Sequence, residues 1–324
     1  MTGTRSTEEI RRIPANISVI TAEEIRSSNA KTAADLLRRE EGVVVRDLLG
    51  NGKTAQVDLR GFGETAGSNT LVLVDGRRVN EIDLSGTDWA QIPIEQIERI
   101  EVLRGPGSVL YGDNAAAGVI NIITKAPSQK PMAGGGITLG SYDRYRLDAR
   151  AGGGLGKAAL SIYGSLEDTD GYRENNDYRA KDVGGRIALD ATDRFRVNLS
   201  GSYHEDDFGL PGSLTKAQVD ADRRQSLDPE DQASTEDYFV KAGFDWDLMK
   251  IGQLVADLSY RDRSGDSKFP DASFPFKNEF TTETLGFTPR YLWQGDLFGY
   301  GNKLIAGVDL YRVSQDTTSY SGFF

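Results

Sequence analysis

From Met132 to about Leu310 the chain alternates apolar and polar residues with a period of two. Tyr145, Leu147, Ala149 and Ala151 interleave with Arg144, Arg146, Asp148 and Arg150. Phe195, Val197, Leu199 and Tyr203 interleave with Arg196, Asn198, Ser200 and Ser202, and Tyr238 to Leu248 and Leu254 to Tyr260 repeat the pattern. That period belongs to strands with one greasy and one polar face. The spacing predicts an antiparallel meander of roughly nine strands. Two architectures can hide so many greasy faces: a soluble sandwich of two packed sheets, or a barrel whose greasy side meets lipid.

Two features select the barrel. Connections alternate in length: Gly152 to Lys157, Ala191 to Arg194 and Lys250 to Gln253 are short, whereas Glu167 to Asp182, Glu205 to Asp237 and Asp262 to Thr281 are long and acidic. Membrane barrels have short turns at one end and long loops at the other. Aromatic residues also bracket the apolar face, at Phe195 and Tyr203 and again at Tyr238 and Trp246. Eight steps of about 3.3 Å at a tilt of roughly 45° cover ~19 Å, which places rings at the borders of an apolar band of about 25 Å. No run of about 18 apolar residues occurs, so a spanning helix is excluded and a spanning barrel is not.

Composition removes other classes. A net charge of -11 argues against a nucleic-acid partner. With no cysteine and a single histidine, His204, there is little material for a thiolate site, a Ser-His-Asp triad or a multi-histidine metal centre. No enzyme and no cofactor is expected. The N-terminus shows no charged-then-apolar leader, so an exported protein of this kind would have a preceding segment.

The first third reads differently. Ile13 to Ile20 is a short strand, and Thr21-Ala22-Glu23-Glu24 is a capping box that starts a helix. Lys31 to Arg39 predicts a second short helix ended by Glu41-Gly42. Val43 to Val45 and Gln56 to Arg60 are strands, and Thr70 to Val74 turns through Asp75-Gly76 into Arg77-Arg78-Val79 as a hairpin. Pro93 to Ile97 resembles one helical turn with proline at its start. Ile97 to Arg104 is a strand stopped by Gly105-Pro106-Gly107. Residues 108 to 112 are expected to carry little structure, and Gly118 to Thr124 is a further strand that ends at Lys125-Ala126-Pro127. Together these make a small α+β domain over residues 1–127, followed by barrel strands over 128–324.

Ile97 to Pro106, Tyr111-Gly112 and Ala116 to Lys125 together resemble the plug of TonB-dependent outer-membrane receptors. So do Leu59-Arg60-Gly61 and Val72-Leu73-Val74-Asp75-Gly76-Arg77. The resemblance runs over residues 1–127 and into the first strands. It implies a plug (motif residues Arg60, Gly61, Asp75, Gly76, Arg104, Gly105, Pro106, Tyr111 and Gly112) that closes a barrel of about twenty-two strands. It further implies the outer membrane of a Gram-negative bacterium, contact with its lipid, and import driven by TonB, which adds to an N-terminal box as a strand. Thr2, Gly3, Thr4 and Arg5 are similar to the tail of that box and are the expected TonB contact.

By the same resemblance, ligand is captured by outer barrel loops and apical plug loops, for which Asn51, Gly52, Lys53, Phe62, Asn69, Asp83, Ser85 and Trp89 are the candidates. A ferric siderophore is the first expectation. Cobalamin is the second, because Ile92-Pro93-Ile94 leading into the arginine-glycine-proline motif is similar to cobalamin receptors. A passive porin or surface-binding barrel is the reading from a different class. Asp168 and Asp170 are calcium candidates on an outer loop, although their spacing departs from the twelve-residue calcium loop. Gly52-Lys53-Thr54 fails as a phosphate loop because position 47 is Asp47 rather than glycine. Gly105-Pro106-Gly107 lacks the spacing and the N–H of a dinucleotide loop. His204 is read as a polar wall residue.

Overall fold

The computed structural model describes residues 16–47, 49–82, 86–271 and 273–322. The chain divides into two compact units, Met1–Lys125 and Ala126–Phe324.

The first unit is an α+β domain. Strand β1 (Asn16–Thr21) runs into α1 (Ala22–Ser27) through the expected capping box: the Glu24 amide donates to Thr21 Oγ1 (3.3 Å) and the Thr21 amide to Glu24 Oε2 (2.7 Å). Helix α2 (Ala33–Leu37) is shorter than expected. Thr32 and Asp35 form a second capping box that starts it late, and the first orphan amides are thereby satisfied. Strands β2 (Val43–Arg46) and β3 (Gln56–Leu59) pair antiparallel. A 3₁₀ turn at Gly63–Thr65 and α3 (Ala66–Asn69) occupy a stretch the sequence suggests as loop. Strands β4 (Thr70–Val74) and β5 (Arg77–Arg78) join through Asp75 and Gly76, both at positive φ (+49° and +81°), the mirror-image turn that suits a tight hairpin.

After a 3₁₀ turn at Ile94–Gln96 come β6 (Ile97–Arg104), the single-turn helix α4 (Ser108–Tyr111) and β7 (Gly118–Thr124). The order across the sheet is β1-β6-β7-β4-β5, with only β4 and β7 parallel. One face packs Val72, Ile100, Val102, Ile120 and Ile122 against Ile25, Leu36, Leu37 and Trp89. The other carries a smaller cluster of Leu71, Leu73, Val119, Ala115 and Tyr111. Tyr111 explains α4: a residue buried against that face holds a turn that local composition alone does not demand. Gly118 lies so close to the Leu103 carbonyl and the Leu59 side chain that a Cβ would overlap both.

The second unit is a single antiparallel sheet: β8 (Met132–Leu139), β9 (Tyr145–Leu155), β10 (Ala158–Thr169), β11 (Tyr178–Thr192), β12 (Phe195–Gly209), β13 (Gln232–Asp247), β14 (Gln253–Phe269), β15 (Phe276–Phe287), β16 (Arg290–Leu297), β17 (Tyr300–Gly307) and β18 (Leu310–Ser321). A short helix α5 (Lys216–Ala221) sits in the connection before β13. The eleven segments amount to nine passes. Phe287 pairs with Leu258 and Arg290 with Val255, so β15 and β16 lie on one line. Likewise Phe287 pairs with Leu310 and Arg290 with Gly307, which puts β17 and β18 on the next line. Both breaks flank Pro289, which has no N–H for a ladder. Thr288 and Val308 still donate across it, to the Asp257 and Pro289 carbonyls at 3.0 and 3.2 Å.

The connections alternate short and long as expected, but the long ones span only residues 170–177, 210–231 and 270–275. The strands extend well past the greasy pattern, with Tyr178 paired to Phe208 and Gln232 to Lys268. Hydrophobic alternation stops where the apolar band stops, whereas the backbone ladder goes on into polar surroundings.

Sheet faces follow the sequence alternation. Leu160, Ile162, Ile187, Leu199, Val240, Leu258 and Leu285 lie exposed on one side. Tyr203 and Tyr238 meet at one end of that face (4.7 Å between rings), and Phe195 and Trp246 at the other (6.2 Å). No helix among the described residues is long and apolar enough to cross a membrane. If the exposed face meets hydrocarbon, Val240→Arg will cost about 2–4 kcal/mol of folding into bilayer vesicles. Urea titration of the vesicle-folded protein reads this, and an unchanged midpoint would place that face elsewhere.

Candidate functional site

The plug-motif residues act first as joints of the α+β unit. Arg60 (φ +68°) and Gly61 (φ +79°) are successive left-handed residues at the end of β3. The Asp58 carboxylate takes the Phe62 and Gly63 amides at 2.8 Å each and fixes that corner. Asp75 accepts from the Thr124 amide (2.9 Å) and hydroxyl (2.8 Å), which ties the β4–β5 turn to the end of β7. Arg104 donates to the Glu41 carbonyl (2.8 Å), Ser18 Oγ (2.9 Å) and Glu40 Oε2 (2.9 Å), and so joins β6, β1 and the exit of α2. Gly105 (φ +112°) and Gly107 donate to the Ala117 and Ala115 carbonyls on either side of Pro106, which itself offers no N–H. Gly112 (φ +78°) ends the turn that carries Tyr111.

Three of the plug-loop candidates are interior: Gly52, packed against the Thr32 side chain, Lys53 and Trp89. Lys53 is 2% exposed and its Nζ lies 2.6 Å from Asp88 Oδ2, itself 3% exposed. Trp89 is 1% exposed, donates from Nε1 to the Ala55 carbonyl (2.7 Å), and its amide reaches the Lys53 carbonyl (2.8 Å). These contacts clamp two loops together, so Lys53 and Trp89 hold the loops rather than present side chains on them. Asp47 gathers the first loop by accepting from the Gly50 and Gly52 amides, and Asn51 Oδ1 accepts from Lys53 N. Phe62 is 40% exposed, and Asn69, the last residue of α3, donates from Nδ2 to the Thr65 carbonyl (2.8 Å). Asp83, Ser85, Thr2, Gly3, Thr4 and Arg5 lie outside the described residues. Asp88, the partner that sequence reasoning missed, stands 35 positions from Lys53, with no periodic signal to link them.

In the strand unit, the long connections pack on one another. Arg173 donates to the carbonyls of Pro211, Gly212 and Gln225. The Arg224 guanidinium lies 5.7 and 5.9 Å from the Tyr142 and Tyr172 rings, which meet edge-to-face at 5.6 Å. Asn175 Nδ2 donates to the Asp228 and Asp231 carbonyls. Burial lifts the Asp231 carboxyl above its ordinary range, the Asp271 amide pulls it down, and the like charges of Asp228 and Asp271 push it further up. Asp168 lies 3.1 Å from Arg179 Nε, and among the described residues no cluster of three or more His, Cys, Asp or Glu could hold a metal.

Below those connections, a polar row crosses the sheet in register: Ser165, Asp182, His204, Asp237, Arg263 and Thr282. All six are buried. His204 Nδ1 is 2.8 Å from Asp182 Oδ1 and Nε2 is 3.1 Å from Asp206 Oδ2. Carboxylate oxygens only accept, and the imidazolium is the form that donates from both nitrogens. Ser165 bridges Asp182 (2.8 Å) to Arg146 (3.2 Å), which also meets Glu167 at 2.6 Å, and Arg261 grips Asp237 at 2.9 Å.

Breaking the buried pair by Lys53→Ala is expected to destabilise the α+β unit by about 3–5 kcal/mol, because the Asp88 charge is left uncompensated. The double change Lys53→Met with Asp88→Leu should recover most of the loss; chemical denaturation reads both. On the surface, Arg78 holds the Asp113 carboxyl below its ordinary range through hydrogen bonds of 2.5 and 3.0 Å. This contribution is present above the unfolded pKa of about 3.9 and is lost as pH falls through the depressed folded value. With Asp113 three-quarters exposed, it is worth at most roughly 1 kcal/mol. Asp113→Asn should remove that part of the acid limb of the stability profile and leave pH 7 to 9 flat.

Known proteins place the chain. Residues 9–119 match the family described as TonB-dependent receptor plug domain. The chain is 32% identical over 234 residues to the vitamin B12 transporter BtuB of Photobacterium profundum, covering 68% of this chain and 38% of that one. It is 38% identical over 159 residues to the BtuB of Vibrio cholerae serotype O1, covering 49% and 26%. Among solved structures it superposes on the unliganded ferric citrate transporter FecA with a TM-score of 0.84 at 20% identity, over 95% of this chain and 49% of that one. The ferripyoverdine receptor of the Pseudomonas aeruginosa outer membrane, bound to ferripyoverdine, gives 0.80 at 16%, over 98% and 45%. At those identities the superpositions speak for the fold alone. The chain spans less than half the length of the curated relatives it matches. The plug motif, the nine-pass antiparallel sheet and these relatives agree: the chain belongs to the family of TonB-dependent outer-membrane receptors.

Proposed function

We propose that the full-length protein imports a scarce, bulky metal chelate across the outer membrane of a Gram-negative bacterium, with TonB as the energy-coupling partner. The observation that carries this reading is the pairing, in one chain, of a plug domain with strands greasy on one face and charged on the other. A passive pore has no use for a plug.

Ferric siderophores and cobalamin are the two ligand classes. The solved neighbours named for ferric citrate and ferripyoverdine are similar in fold at 16–20% identity. The B12 transporters are similar at 32–38% in sequence, and that observation favours cobalamin.

Cells that lack their own receptors but express the full-length protein are expected to accumulate radiolabelled cyanocobalamin or a ferric chelate only when TonB is present. Deletion of residues 1–12 should cut accumulation at least tenfold while surface binding persists. Undiminished uptake after that deletion, or steady open channels of the purified protein in planar bilayers without TonB, would instead support the porin reading.

A further inference from the structure

We propose that the long-connection end of the strand unit selects a metal chelate with no net negative charge and repels polyanionic chelates. The proposal rests on the importer reading above and names its substrate class. It concerns the field of a whole end of the sheet and assigns no carboxylate cluster as a site.

The first observation is where the charge resides. Residues 167–182, 205–237 and 262–281 hold 20 Asp and Glu against 9 Lys and Arg, a net charge of -11. That is the charge of the entire chain, and the remainder balances at 29 against 29. Four of those acids are matched by cations just outside the stretches, Glu167 by Arg144 and Arg146, Asp237 by Arg261, and Asp182 and Asp206 by His204, and the other 16 still outnumber the 9 Lys and Arg, so the excess of negative charge lies at the end where the long connections stand. Exposed charges act over about 10 Å at 0.1 M salt, and a one-signed surface changes ligand on-rates by roughly 10- to 1,000-fold.

The second observation is independent: most of the cations present are already engaged. Arg173 is saturated by three backbone carbonyls, and Arg224 lies against two tyrosine rings. Arg179 pairs with Asp168 at 3.1 Å, Lys181 with Glu205 at 3.3 Å and Lys216 with Asp220 at 2.5 Å. Capture of a carboxylate or catecholate chelate calls for guanidinium or ammonium donors. Here, taking Arg173 would strip three carbonyls of their partner. What the connections do expose is aromatic surface at Tyr142 and Tyr172, with Arg224 beside both rings. The rings offer a neutral macrocyclic chelate a flat apolar contact, and the acidic excess around the connections favours a cationic chelate over an anionic one.

The test uses the full-length protein and three probes: cyanocobalamin (neutral), a ferric trihydroxamate of charge +1, and ferric citrate (anionic). Binding is measured across ionic strength, and uptake is measured in TonB-competent cells. Cyanocobalamin or the cationic chelate should be taken up. Ferric citrate should associate at least tenfold more slowly at low salt, with the gap closing at high salt. The triple variant Asp170→Asn, Asp220→Asn, Glu230→Gln should speed ferric citrate association by roughly three- to tenfold at low salt, with cyanocobalamin unchanged. Tighter binding of ferric citrate than of the other two, or no response of its rate to the triple variant, overturns the charge rule. Uptake of none of the three by cells that display the protein overturns the importer reading on which it rests.

Discussion

Lipid offers a strand no hydrogen-bond partner, so every backbone group that crosses it must be satisfied by a neighbouring strand. That single requirement accounts for most of the second unit. It explains nine passes in strict sequential antiparallel order, and a ladder that runs on beyond the greasy band. It also explains how Pro289 is tolerated: the strands either side keep one register, and Thr288 and Val308 donate across the gap. The side-chain alternation is a consequence. Once the backbone is closed, the pleat sends alternate residues to hydrocarbon and to the polar side.

What could be read ahead of the structure was whatever is encoded by local chemistry or strict period. The Thr21–Glu24 capping box, the Asp75-Gly76 turn and the number of strand passes rest on neighbours within a few residues, and all three are present. The strand ends were illegible, because alternation reports the apolar band and the ladder outruns it. Helix α4 was illegible because Tyr111 is held by contacts with strands far away in sequence. Lys53 looked like a loop lysine since its glycine-rich neighbours describe a surface turn; its partner Asp88 lies beyond the reach of any local rule. The packed connections, with Arg224 between Tyr142 and Tyr172, depend on three separate stretches meeting.

The two units use buried charge for different ends. In the α+β unit, a lysine–aspartate pair is buried, where a hydrophobic pair of similar volume would be as stable or more so. Its geometry joins the loop that ends near Thr54 to the one that ends at Trp89, so what it contributes is the position of two loops. In the strand unit, Ser165, Asp182, His204, Asp237 and Arg263 form a row perpendicular to the strands, each in register with the next. A slip of one residue between any two strands would turn that row's side chains toward the greasy face and strand a charge there. Apolar replacements would leave both faces alike and the slip nearly free. The charged row therefore specifies register, just below the point where the long connections leave the sheet and where their mutual packing demands that the strand ends stand in fixed relation.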